Sequence, residues 1–440
     1  MFSDKNYPKV LFISHTPFSN TGMGKTYSSL FRNWPNDRIA QLFFNEGEIP
    51  SFEICNNYFR VTDKQLMKGL LFNNREKYCR NSVTNMCPVA RERKFHSKLK
   101  LSQYRDNLML FRDLLWLTNY WKTNALYEWV EKFDADVIFF IGAQSGFSHR
   151  IVHSLANKYH LPMFVYFTDD YYISPSINNP LKYLQYYFNT KINIEKSVIM
   201  SKVCFAIGDL MSNEYKSIFN KQFIPIMNSI DFDIDMVQES STKEKNSILL
   251  SYIGGLHSNR WESLVYLGSL LREIQKDELL RVSLEICTLD APSKAIIDVL
   301  NTAPLVYKGP IDSERIQQHK SDILVHVESV NKECRKTSKY SVSTKISEYL
   351  SSGNCVLAYG PEEVASIRMI KDNNLGIVLR EKATIKENKA ILLNVIKSIK
   401  LRSDYGRRGY DFAVKNFNAA NVRELIRATL FDNVISSDKK

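Results

Sequence analysis

Two doubly wound parallel sheets, an α/β fold, are what the 440 residues predict, and three observations carry that expectation. Short apolar runs rich in Val, Ile, Leu and Phe alternate with longer amphipathic stretches, the pattern of consecutive βα units. The runs are nearly continuous in apolar residues, as strands covered on both faces must be. A polar, charged stretch, Gln238–Asn246 (QESSTKEKN), separates two sets of such runs and reads as a linker. The simplest architecture is two domains facing each other across a cleft, with ligands at the carboxyl ends of the strands.

In the first half, strands are expected at Lys9–Ser14, Ala40–Phe44, Val137–Ile141, Met163–Thr168, Val203–Ile207 and Phe223–Met227. In the second they are expected at Ile248–Ile253, Val282–Cys287, Leu305–Lys308, Ile323–Val327, Cys355–Tyr359 and Gly376–Leu379. This sets one domain at 1–237, a second at 247–417, and a C-terminal helix over 418–440 that packs back on the first.

Composition narrows the function classes. With 44% hydrophobic and 24% charged residues the chain is ordinary globular protein, not a disordered tail. Apolar runs such as Val137–Ala143 fall well short of the ~20 residues of a membrane span, and the first residues lack the apolar core of a secretory signal. The seven Cys are odd in number and include no Cys-x-x-Cys pair, so neither a disulfide framework nor a zinc site is indicated. A reduced, cytoplasmic protein is expected. The formal charge of +12 is concentrated: Arg60–Lys122 holds 14 Lys or Arg against 5 Asp or Glu, a net of +9. Leu70, Leu71, Phe72, Phe111, Leu114 and Trp116 lie in the same stretch, so this insertion, about 60–122, reads either as a helical insertion with its own core or as a surface that meets an anionic membrane. No nucleic-acid partner is expected, because no DNA or RNA motif accompanies the basic stretch.

Four stretches carry the chemistry. The first strand runs into Ser19-Asn20-Thr21-Gly22-Met23-Gly24-Lys25-Thr26, a glycine-rich turn whose backbone N–H groups can approach a phosphate. It departs from a P-loop because Ser19 stands where that motif needs glycine. Asp169 and Asp170 end the strand Met163–Thr168, where either could act as a base or bind sugar hydroxyls, or serve only as a helix cap. His149 and His153 stand four apart, a metal spacing without a third ligand, so a satisfied pair is the preferred reading. Gly254 and Gly255 follow Ile248–Ile253 and lead to Arg260, which opens a long helix; a diphosphate there would meet a helix N-terminus and a guanidinium together. Finally, Ser343, Thr344 and Lys345 start a short helix on which Lys345 and Glu348 share a face, suited to phosphate and sugar hydroxyls.

Taken in order, these elements resemble the GT-B glycosyltransferases, specifically the large retaining, family-4-like group that includes sucrose-phosphate and glycogen synthases and many bacterial polysaccharide enzymes. The resemblance covers most of the chain. It rests on the Gly22/Gly24 turn, Ala206–Ser212 with Asn228–Asp231, Tyr252–Leu256 with Arg260, Tyr307–Pro310, Ser321–Val325, and above all Ser343–Asn354 followed by Tyr359-Gly360-Pro361 and Asn374-Leu375-Gly376. It implies two Rossmann-like domains, a nucleotide-sugar donor (UDP- or GDP-sugar), no cofactor and no metal, and a glycan or lipid-linked acceptor. It implies donor binding at Gly254, Gly255, Arg260, Ser343, Thr344, Lys345 and Glu348, a phosphate or acceptor loop at Gly22 and Gly24, and catalytic acids at Asp169 and Asp170. The chain departs from the family at three places: Gly255 replaces an arginine, Tyr340 replaces the first of two paired glutamates, and Asp169-Asp170 stands where the family often has His-Asp. A nucleotide-sugar epimerase and a scaffold protein with a decayed site are the rival readings.

Overall fold

The computed structural model describes residues 7–79, 105–175, 177, 180–232, 247–278, 280–311, 318 and 320–435. The linker Gln238–Asn246 and the middle of the basic insertion lie outside the described residues. The chain divides into two compact units, Met1–Ile226 with Ala420–Lys440, and Met227–Ala419.

In the first unit seven parallel strands, β1 (Val10–Ser14), β2 (Ile39–Phe43), β3 (Asn57–Arg60), β4 (Val137–Gly142), β5 (Met163–Phe167), β6 (Ser201–Ile207) and β7 (Phe223–Ile226), lie in the order β3-β2-β1-β4-β5-β6-β7. In the second, β8 (Ser247–Ile253), β9 (Arg281–Cys287), β10 (Leu305–Gly309), β11 (Ile323–Val327), β12 (Cys355–Gly360) and β13 (Ile377–Arg380) lie in the order β10-β9-β8-β11-β12-β13. The expected strands are all present, with ends shifted by one or two residues. β3 was not expected: it has four residues, only its central Tyr58 and Phe59 are buried, and it sits at the sheet edge. A run that short leaves no apolar pattern to read.

The two cores differ in chemistry. The first is aromatic: Phe12 packs against Phe18, Phe31 and Phe139 at ring separations of 4.6, 5.2 and 5.7 Å. The carboxylate of Asp136, just before β4, accepts the backbone N–H of Lys9 at 2.6 Å and aligns β1 with β4. Val422, Ile426 and Leu430 of the helix Ala419–Ile435 are buried in this same core, and Arg423 donates to the carbonyl of Ser29 at 2.7 Å. The second core is aliphatic, built from Leu, Ile and Val of its strands and of the helix Arg260–Asp277. The helix Ile399–Asn416 lies directly on the turn before β12: a Cβ on Gly406 would stand 1.9 Å from the carbonyl oxygen of Gly353, which itself has φ +74°.

His149 and His153 are a satisfied interior pair. His149 Nδ1 and His153 Nε2 lie 2.7 and 2.8 Å from the Ser197 hydroxyl, and His149 Nε2 lies 2.8 Å from the Ala143 carbonyl. Burial pushes both imidazoles down, to about 4 and about 3, so they are neutral in the folded protein.

Two outcomes follow. Gly406→Ala should destabilise the second unit by about 3 kcal/mol, because the clash is with backbone that cannot turn aside; chemical denaturation reads it, and a cost near zero would show that this helix shifts freely. Below about pH 6.5 the unfolded chain protonates His149 and His153 while the folded chain does not. Stability therefore falls as pH drops through that window, by up to ~1.4 kcal/mol per pH unit for each histidine. The unfolding midpoint should be lower at pH 5 than at pH 7, and His153→Gln should flatten the slope; an unchanged slope would mean that His153 is not held neutral.

Candidate active site

A doubly wound sheet opens where its strand order reverses, because the loops leaving the two central strands run to opposite faces. In the second unit that point lies between β8 and β11, paired in register from Ile323↔Leu250 to Val325↔Tyr252. The segment leaving β8 carries Gly254, Gly255 and Arg260; the residue leaving β11 is Glu328. Arg260 Nη2 stands 3.0 and 3.2 Å from the two Glu328 carboxylate oxygens and Nε stands 3.3 Å from one of them. Glu328 is 3% exposed. Burial alone would raise its carboxyl above the usual range, but the hydrogen bond from His326 and the charge of Arg260 outweigh burial and hold it below. Ser366 also donates to Glu328, at 3.4 Å, and Ser263 donates to its backbone carbonyl at 2.8 Å. Arg260 Nη1 lies 3.0 Å from His257 Nε2, whose imidazole is pushed down by burial and by the arginine, so it accepts as a neutral ring.

Arg260 thus stands at the expected edge, held by a buried carboxylate that the sequence reading did not single out. The signal was available: Glu328 closes the apolar run Ile323–Val327 as Asp169 closes the strand before it.

The glycine loop is more occupied than expected. The Gly254 N–H donates to the Cys287 carbonyl at 3.0 Å, and the Leu256 N–H donates to Asp290 at 2.6 Å. Of the donors expected to face a ligand there, the Gly254 N–H is therefore spent on the sheet, and the Gly255 N–H has no acceptor among the described residues. A Cβ at Gly255 would lie 2.5 Å from His257 Nδ1, so the glycine admits the imidazole that touches Arg260. Ser258 and Asn259 both take φ +59°, a left-handed pair that costs on the order of 1 kcal/mol per residue and sets the direction in which Arg260 enters its helix.

Helix Thr344–Ser351 reaches the same edge. The Tyr349 hydroxyl accepts from the Ile253 N–H and donates to the Ile253 carbonyl, both at 2.9 Å, pinning the helix to the end of β8. Ser343 caps it by accepting the Lys345 N–H at 3.3 Å, so its hydroxyl is engaged in the cap. Thr344 is the first helical residue. Lys345 Nζ and Glu348 Oε2 pair at 3.0 Å, with both side chains about a quarter exposed. Tyr340, at the position of the family's first glutamate, is buried, with Lys339 donating to its hydroxyl at 3.0 Å.

In the first unit the order reverses between β1 and β4. There His15 Nε2 and the Ser145 hydroxyl meet at 2.5 Å, and burial followed by the charge of Arg112 pushes His15 down to about 3. Beside them is a small recess lined by Gln144, Ser145, Arg112, Asp113, Lys182 and Gln185 among others. Arg112 is held by Asp63 at 2.9 Å and lies over the Phe147 ring at 4.8 Å; Gln185 donates to Asp113. The sequence reading missed this group because it joins segments far apart in the chain.

Asp169 and Asp170 end β5, the next strand outward, and they separate in role. Asp170 accepts the N–H groups of Tyr172, Ile173 and Ser174 at 3.0, 2.8 and 2.8 Å and the Tyr215 hydroxyl at 2.9 Å, so its carboxylate organises its own loop. Asp169 lies among Tyr27, Tyr166 and Tyr171, whose hydroxyls are all raised first by burial; its charge comes next at Tyr27 and Tyr171 and follows Tyr27 at Tyr166. Tyr27 belongs to the helix Gly22–Phe31, which brings the glycine turn to the same edge. Gly22 has φ +55°, and a Cβ on Gly24 would fall 2.0 Å from Ser19 Oγ. Packing, rather than a ligand, already accounts for Gly24.

Glu328→Ala should cost about 3–5 kcal/mol by leaving Arg260 uncompensated, whereas replacing both partners by apolar residues should recover most of that. Denaturation of the single and double variants tests this; a single-variant cost below about 1 kcal/mol would mean that water screens the pair.

By sequence, no family model and no curated protein matches the chain. By structure it is similar over nearly its whole length to several glycosyltransferases. Sucrose-phosphate synthase from Thermosynechococcus elongatus is 9% identical, covering 97% of this chain and 99% of that one at a TM-score of 0.57. A glycosyltransferase from Rickettsia africae ESF-5 is 11% identical, with coverages of 98% and 99% and a TM-score of 0.59. Anabaena HepE, solved in complex with UDP-glucose, is 11% identical, with coverages of 96% and 99% and a TM-score of 0.55. The fold is therefore GT-B, two Rossmann-like parallel-sheet domains as in these glycosyltransferases.

Proposed function

We propose that the chain is a nucleotide-sugar-dependent glycosyltransferase that moves a sugar from a UDP- or GDP-sugar to a hydroxyl of a glycan or lipid-linked acceptor. The observation that carries this reading is the pair of cations, Arg260 and Lys345, at the strand-order reversal of the second unit of a GT-B fold. HepE, of the same fold, is a UDP-glucose complex, which favours a nucleotide-sugar as the ligand of that edge.

As the glycosidic bond breaks, negative charge develops on the leaving diphosphate. Cations already in place stabilise that charge more than they stabilise the ground state, which is what lowers the barrier. Lys345 and Arg260 supply it without a metal, and the Gly255 N–H adds a donor. Glu328 is a positioning residue: it fixes the guanidinium and leaves Nη1 toward His257 and the ligand side. Glu348 takes ribose or donor-sugar hydroxyls. At the first unit's edge Asp169, with the Gly22 turn, orients the acceptor hydroxyl, and Asp170 shapes the loop that carries Asp169. We infer retention of configuration from the family resemblance, and a cytoplasmic site of action in bacterial surface-polysaccharide synthesis from the same resemblance and the chain's richness in Asn, Lys, Ile and Tyr.

The deciding experiment is a thermal-shift screen with UDP-, GDP-, ADP- and CMP-sugars in the absence of divalent metal. A ligand that binds only the folded state at a hundred times its Kd adds ~2.7 kcal/mol. A shift with UDP- or GDP-sugars is expected, and no shift with any of the four overturns the reading. Lys345→Ala should then lower kcat by about 30- to 1000-fold, equivalent to roughly 2–4 kcal/mol of transition-state stabilisation, while leaving the melting temperature of the free protein nearly unchanged. Wild-type turnover by this variant would remove Lys345 from the donor site.

A further inference from the structure

The first unit carries an apolar surface that its own core does not use. Helices Asp63–Leu71 and Arg105–Leu117 pack on each other, and the second of them packs on the helical run that starts at Pro180. These three neighbours leave large apolar side chains in water: Leu71 and Phe72 are 75% and 64% exposed, Phe111 and Leu114 57% and 54%, and Leu184 and Phe188 49% and 74%. Single exposed leucines are ordinary, but a set of this size spread over three packed helices marks an interaction surface.

Charge identifies the occupant. Lys68 is exposed on the first of these helices and Lys77 on the short helix after it, Lys191 lies by the Tyr172 and Tyr187 rings on the third, and the described residues of the insertion, 60–79 and 105–122, hold 8 Lys or Arg against 4 Asp or Glu. Apolar side chains flanked by lysines and by tyrosines suit the headgroup boundary of a negatively charged bilayer. They suit a second copy of this +12 chain poorly, since like charges would face each other. No described helix is long and apolar enough to cross a membrane, so the face would lie on the lipid. The second and third of these helices also supply Arg112, Asp113, Lys182 and Gln185 to the recess beside Ser145.

We propose that this face docks the protein on an anionic lipid bilayer. Resting on the glycosyltransferase reading, docking sets the recess beside the headgroup layer and makes the acceptor a lipid-linked one.

The test is flotation of the full-length protein with phosphatidylcholine vesicles, with and without phosphatidylglycerol. Binding should require phosphatidylglycerol and weaken as salt is raised. The double variant Leu184→Ser/Phe188→Ser should bind about tenfold more weakly, by the loss of apolar burial, and Lys68→Glu/Lys77→Glu should lower both the binding and its salt dependence. All of these positions are exposed, so folding should survive, and the nucleotide-sugar thermal shift on the same preparations should be unchanged. The docking proposal is overturned if protein that shows this shift does not float with anionic vesicles. It is equally overturned if the Leu184/Phe188 variant floats like the wild type, or if sedimentation shows the face consumed by self-association. Loss of the nucleotide-sugar shift alone would strike the donor site and leave docking standing.

Discussion

Reversal of strand order is the constraint on which both halves of this protein depend. Parallel strands joined by crossovers must place their connections above or below the sheet. The edge therefore gapes at the one place where successive connections diverge, between β8 and β11 and between β1 and β4. Polar side chains tolerated at those gaps are desolvated by the flanking helices, and they persist only with partners. The Arg260–Glu328 pair and the His15–Ser145 contact are the two solutions found here.

The two solutions differ in charge, and that difference suits different work. In the second unit a guanidinium paired with a buried carboxylate stands where β8 and β11 part, and the helix Thr344–Ser351, which carries the Lys345–Glu348 pair, is pinned to the end of β8. Glu328 keeps Arg260 from being an uncompensated cation in a desolvated site, and fixes its geometry before any ligand arrives. In the first unit burial keeps His15 uncharged, and the flanking recess mixes one acid with Arg112 and Lys182.

The strained loop before Arg260 and the glycine contacts show how tightly these edges are set. Two consecutive left-handed non-glycine residues persist only when their surroundings over-determine them, and here the fixed elements are the Arg260 helix on one side and the Cys287 and Asp290 contacts on the other. Gly255, where the resembling family carries an arginine, admits the His257 ring beside Arg260 instead.

The amino-acid sequence by itself determined the strands, because a strand covered on both faces must be apolar along its length, and that pattern is local. Among the described residues it failed only at β3, a four-residue edge strand with two buried side chains. It also put Arg260 at a helix start and Lys345 and Glu348 on one helix face, since helix starts and i, i+3 pairs are read along the chain. Only the tertiary structure decided which polar residues meet: Glu328 with Arg260, 68 positions apart; His15 with Ser145, 130 apart; and Asp170 spent on its own loop rather than aimed outward. Partners so distant in the chain leave no periodic trace, and strand order, which brings them together, is fixed by packing rather than by any local run of residues.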